Sequence, residues 1–119
     1  MKYSIIIAVY NRLDEVKELL DSAERMDGDR ELFEFLFVDD GSKDGFREFI
    51  EQYRSASGLQ IRAVYQKNQG PGAARNHGMR EAKGDYFIFV DSDCMFPPHW
   101  LREIEKVQNE HHYDAFGGP

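Results

Sequence analysis

Four short apolar runs, each followed by a segment of helical period, constrain this chain more than any other feature. Residues 3–10 (YSIIIAVY) are continuously apolar and rich in β-branched residues, as a strand buried on both faces must be. Residues 33–40 (FEFLFVDD), 59–66 (LQIRAVYQ) and 85–96 (DYFIFVDSDCMF) supply three more strand signals. Between them, Leu13, Val16, Leu19, Leu20 and Ala23 recur on one helical face, and Phe46, Phe49, Ile50 and Tyr53 on another. Asn11 is a candidate N-cap for the first helix, and Ser42 or Asp44 for the second. GPGAARNHGMREAKG begins a third helix with glycines and offers Gly84 as its C′ residue. A fourth helix is expected from about Pro98 to His111, and DAFGGP reads as the start of a further strand.

Strand–helix alternation with short connections predicts an α/β fold. Its sheet is expected to be mostly parallel, with helices on both faces and right-handed crossovers, in a Rossmann-like pattern. The 119 residues suffice for one domain, 1–119. No apolar run approaches the roughly 18 residues of a membrane span, and nothing resembles a signal peptide core, so a cytoplasmic location is expected. The single cysteine, Cys94, has no partner for a disulfide or a metal set.

In open parallel sheets, ligands sit beyond the carboxyl ends of the strands. That rule selects Ala8 to Arg12, Asp39 to Ser42, Gln66 to Asn76, and Asp91 to Asp93, where the chain's unusual polar residues fall. The net charge of −7 argues against nucleic acid as a partner. A small phosphorylated ligand remains compatible if a divalent cation stands between it and the protein.

Asp91 and Asp93 share a parity, so on an extended chain they project to one side about 6.5 Å apart, with Ser92 pointing away. Two such carboxylates suit Mg²⁺ or Mn²⁺, completed by phosphate oxygens and water. A solvated turn in which one of them caps the next helix is the plainer alternative. Asp39 and Asp40 face opposite ways, so one could bind a ligand while the other braces loop backbone. A turn with an N-cap accounts equally for Gly41, Ser42 and Asp44. KNQGPGAARNHG lacks the P-loop spacing. Gly70 and Gly72 permit close backbone approach, with Lys67 and Arg75 as cations; alternatively Ala73, Ala74 and Gly78 are small for helix–sheet packing. His77, His99, His111 and His112 show no ligand spacing, and Phe96, Pro97, Pro98 and Trp100 either wall a pocket or begin a helix.

With SIIIAVYNR, VDDGSKDG, NQGPGAARNHG and YFIFVDSDC in this order, the chain resembles the family 2 inverting glycosyltransferases of GT-A fold, over essentially its whole length. The resemblance implies a nucleotide-sugar donor, most often UDP-linked. It implies that Ala8, Val9 and Tyr10 contact the nucleoside, that Asp40 binds the base with Asp39 beside it, and that Arg75 touches the nucleotide. It further implies that Asp93 holds a Mn²⁺ or Mg²⁺ ion, with Asp91 near the ribose or the metal's waters.

Inverting transfer needs a general base for the acceptor hydroxyl. None is assigned among these residues; the resemblance implies that the base and the site for a glycan, lipid-linked or protein acceptor lie beyond residue 119. The chain is therefore expected to be a truncated, nucleotide-binding half, self-associating through its open sheet edge and peripheral to the inner face of a membrane only through the missing parts. A phosphoacceptor receiver domain is the lesser alternative, because its acid pair follows the first strand and here the pair follows the second. A noncatalytic nucleotide-binding module stays open.

Overall fold

A computed structural model describes residues 2–111 and 115–117. Five strands, β1 (Tyr3–Val9), β2 (Phe33–Asp39), β3 (Gln60–Tyr65), β4 (Tyr86–Val90) and β5 (Ala115–Gly117), alternate with helices α1 (Leu13–Glu24), α2 (Phe46–Gln52), α3 (Pro71–Glu81) and α4 (Trp100–His111). The sheet order is β3-β2-β1-β4-β5, with every pair parallel. The expected parallel sheet is thus parallel throughout, and the further strand exists at Ala115–Gly117. Asp114, Gly118, Pro119 and His112 lie outside the described residues. No described helix is long and apolar enough to cross a membrane.

The two faces of the sheet differ. Tyr3, Ile5, Ile7 and Val9 of β1, with Phe33, Phe35 and Phe37 of β2, meet the predicted apolar stripe of α1, Phe46 and Ile50 of α2, and Leu101 of α4. Burying each such side chain stabilises the fold by about 1.5–3 kcal/mol, so this face carries most of the core. The opposite face holds a smaller cluster, in which Ile6, Leu36 and Val38 meet Ala74 of α3, with Phe87, Phe89 and Val64 partly buried around them. Here α3 lies very close: a Cβ on Gly78 would sit 2.5 Å from Ile6 Cγ2. The small residues of this segment do serve packing.

Several local expectations are corrected. Asn11 does not cap α1; the N-cap position is Arg12, with no side-chain cap. Instead Asn11 adopts φ +52°, a conformation Asn tolerates, and its Oδ1 accepts from the Lys43 amide at 2.8 Å. Asp44 performs the capping across the chain, accepting from the amides of Leu13 (2.9 Å) and Phe46 (3.2 Å). Gly84 is not the C′ residue of α3, whose C-cap is Ala82. Its amide donates to Ser4 Oγ at 2.8 Å. Of the two roles expected for Phe96 to Trp100, the helix start is the one observed: Trp100 begins α4, and Phe96 and Trp100 are buried and packed together, ring centroids 4.8 Å apart.

Glu34, inside β2, is fully buried. It accepts from Arg62 Nε at 2.8 Å, the Lys83 amide at 2.7 Å and Ser4 Oγ. Burial alone would push its carboxyl up, but these donors hold it below the usual range. The cluster pins the α3–β4 connection to the amino end of the sheet.

Candidate functional site

The strand order places a switch point between β1 and β4, where ligand crevices form. β4 ends at Val90, paired with Ile7, while β1 continues two residues further to Val9, paired with Asp39. Over this step opens a cleft of 490 Å³. Arg12 and Glu15 border it from the start of α1, Pro71 and Arg75 from the start of α3, and Asp91, Ser92 and Asp93 from the end of β4; Ile6, Ala8 and Phe89 also line it.

Asp91 and Asp93 are exposed, and neither carboxylate has a hydrogen-bond or ion-pair partner among the described residues. They cap no helix: the chain turns here, with the Cys94 amide donating to the Asp91 carbonyl at 3.1 Å. The turn also corrects the expected orientation of Ser92. Ser92 lines the same cleft, and its Oγ donates to Glu15 Oε1 at 3.2 Å. Glu15 Oε1 in turn stands 3.3 Å from Arg12 Nε, tying the β1–α1 loop to the Asp91–Asp93 turn. Burial, then the charges of Asp93 and Asp91, push the Cys94 thiol up, so Cys94 is kept as a neutral core residue.

The residues fit a divalent cation of the Mg²⁺ or Mn²⁺ type. Among the described residues no cluster of three or more His, Cys, Asp or Glu could hold a metal. Two free carboxylates at a cleft mouth are what a hard cation uses when phosphate and water complete its shell. Arg12 and Arg75 bring positive charge to the same cleft.

Asp39 and Asp40 lie in a different environment, each only 4% exposed. Asp39 Oδ1 accepts from the Ser42 amide at 3.1 Å, and the residue lines a second hollow with Tyr65 and Arg47. Asp40 Oδ1 accepts from Gln66 Nε2 and the Gln69 amide, both at 2.8 Å. Its Oδ2 accepts from the Gly70 amide at 3.0 Å and Asn68 Nδ2 at 3.3 Å. Burial would raise this carboxyl, but the bonds from Gln66, Gln69 and Gly70 hold it below the usual range. A carboxylate offers about four acceptor positions, and all are used. Asp40 braces the loop that leads into α3. Gly41, at φ +86°, lets that loop close over the pair: a Cβ there would meet the Asn68 amide nitrogen at 3.0 Å.

Of the other expected contacts, Ala8 is half-buried and lines the cleft, and Tyr10 stands 47% exposed just past β1. The Val9 side chain is buried in the core, and its carbonyl accepts the Asp40 amide at 2.8 Å, so a contact of Val9 with a nucleoside would be through its backbone. Lys67 is exposed and lines no part of the cleft. His99 bonds Asp27 (2.8 Å). The sequence reading missed Glu15, Ser92 and the Gln66–Asp40 bond. Ser92, Gln66 and Asp40 are signalled only by their position at strand ends, and Glu15, in the first turn of α1, by nothing, since each contact joins residues far apart in sequence.

The family model of Glycosyl transferase family 2 matches residues 4–119. The poly(ribitol-phosphate) β-N-acetylglucosaminyltransferase TarS of Staphylococcus aureus is 34% identical over 115 residues, covering 97% of this chain and 20% of TarS. The crystal structure of S. aureus TarS 1-349 in complex with UDP-GlcNAc superposes with a TM-score of 0.84 at 34% identity, over 94% of this chain and 32% of that one. The mannosyltransferase PcManGT of Pyrobaculum calidifontis, in complex with GDP-Man and Mn²⁺, gives a TM-score of 0.69 at 27% identity, over 81% of this chain and 28% of that one. The chain thus spans about a fifth of the length of TarS.

Proposed function

The chain belongs to glycosyl transferase family 2, and from that premise we propose that it binds a nucleotide-diphospho-sugar through a divalent cation, for inverting transfer of the sugar. The observation that carries this reading is the pair of carboxylates, Asp91 and Asp93, unpartnered among the described residues and sharing the β1–β4 cleft with Arg12 and Arg75. The complexes of TarS with UDP and UDP-GlcNAc support a uridine nucleotide, and that of PcManGT supports Mn²⁺.

Each residue has a distinct task. Asp93, with Asp91 beside it, would hold a Mn²⁺ or Mg²⁺ ion. When bound, that ion supplies Lewis-acid neutralisation of the charge that builds on a leaving diphosphate. Arg75 and Arg12 attract and orient the diphosphate, against a chain whose net charge of −7 would otherwise repel it. Ala8, having no side chain beyond Cβ, leaves room for the nucleoside along the end of β1, and Tyr10 offers it a ring. Asp40 reads the base by exchanging its longest partner, Asn68 Nδ2 at 3.3 Å, for the imino N–H of uracil. The acceptor hydroxyl's base is assigned to no residue of this chain.

A thermal-shift panel with Mn²⁺ present tests the reading. UDP and UDP-GlcNAc are expected to raise Tm, by mass action on the folded state, with GDP-mannose and ATP doing so less. A chain that responds to no nucleotide diphosphate, or to ATP alone, would overturn it.

A further inference from the structure

The bonds around Asp40 continue into α3 and bear on which ring nitrogen carries a proton in a histidine that the proposed mechanism leaves unused. Gln66, at the end of β3, gives its Nε2 to Asp40 at 2.8 Å and turns its Oε1 to His77 Nδ1 at 2.9 Å. An ionised carboxylate only accepts. The opposite amide orientation would set the Gln66 oxygen 2.8 Å from a carboxylate oxygen, with no hydrogen between them. Gln66 must therefore present its oxygen to the ring, and only a protonated Nδ1 can answer it.

We propose that His77 is a positioning residue of the nucleotide site, fixed as the Nδ1–H tautomer, and that it sets the start of α3 through Gln66 and Asp40. The contacts form a closed circuit. His77 lies in the second turn of α3, Gln66 at the end of β3, and Asp40 just past the end of β2. From Asp40 the bonds return to the amides of Gln69 and Gly70, where α3 begins. Gly70 has no side chain of its own to cap that helix, so Asp40 restrains its first turn in trans. Pro71 and Arg75 are carried on that turn into the cleft. Removing the His77 donor leaves the Gln66 oxygen unpaired and free to swing, and the Asp40 bond loosens with it. The consequence for the nucleotide rests on the function proposed above; the tautomer and the circuit do not.

The test separates the two. In the ligand-free, ¹⁵N-labelled 119-residue chain at about pH 8, where an ordinary imidazole is neutral, long-range ¹H–¹⁵N spectra report which ring nitrogen carries the proton. Loss of one ring system in His77→Asn assigns the residue. The expected result is a proton on Nδ1, with the Gln69 and Gly70 amides protected from exchange. UDP–Mn²⁺ affinity is expected to fall about three- to tenfold in His77→Leu, roughly one hydrogen bond's worth, and to be largely restored in His77→Asn, whose amide can donate near the same place. A proton on Nε2 would overturn the proposal, as would equal UDP affinity in wild type and His77→Leu. If wild type binds no UDP yet shows Nδ1–H and protected amides, the circuit stands and the nucleotide reading fails.

Discussion

The chain has two pairs of carboxylates at strand ends, and they have opposite fates. Asp39 and Asp40 follow β2, are nearly buried, and spend their oxygens on the chain's own amides. Asp91 and Asp93 follow β4, stand exposed, and have no partner among the described residues. A buried carboxylate must be satisfied from within, so the first pair shapes loops. An exposed pair at a cleft can leave its electrostatic demand to a ligand. The same residue type in similar sequence settings thus braces a loop in one place, where only the long 3.3 Å bond from Asn68 to Asp40 is left to exchange for a base, and receives cations in the other.

The contrast breaks most readily at Asp93. Asp93→Ala is expected to abolish metal-dependent UDP binding, more than a hundredfold by calorimetry, while changing stability by less than about 0.5 kcal/mol, as for surface substitutions without partners. Asp91→Ala should weaken binding less. Unchanged affinity in Asp93→Ala would remove the cation from this site.

Asp40→Asn probes the other pair. A carboxamide has one oxygen where Asp40 serves donors on both, so an NH₂ group must face a donor. A loss of about 1–3 kcal/mol of stability is expected, the range for bonds to charged groups, measured by urea unfolding. Stability equal to wild type would show that the loop does not depend on Asp40.

Acid should destabilise the fold through the buried carboxylates. The Asp40 and Glu34 carboxyls lie below their ordinary values in the folded chain. Their contribution is therefore complete above the unfolded-state values, about 4, and is lost as pH falls through the lower folded-state values. Unfolding midpoints measured from pH 6 to pH 2 should fall below pH 4, and less steeply in Asp40→Asn. A midpoint flat across that range would contradict the assignment.

Ser92→Ala is expected to give the smallest effect. Its bond to Glu15 is long at 3.2 Å and partly solvated, so a two- to threefold loss of UDP–Mn²⁺ affinity, about 0.5 kcal/mol, is the expectation.

Periodicity made the strands and helices legible, because burial on two faces demands continuous apolar runs and helix packing demands a stripe. The position of the cleft followed from the strand ends. What the sequence concealed were contacts between segments. Asp44 capping α1, Glu34 gathering Arg62 and Lys83, and Glu15 holding Ser92 each join residues that only the fold brings together. The parity rule placed Ser92 away from the cleft because it assumed an extended chain, whereas the chain turns after Val90.

The central claim is that the Asp91–Asp93 turn receives an anionic nucleotide only through a cation. Isothermal titration of UDP into the chain, once with Mn²⁺ and once with EDTA, measures it directly. Binding with Mn²⁺ and no detectable heat of binding in EDTA is the predicted result; equal affinity in the two would contradict it.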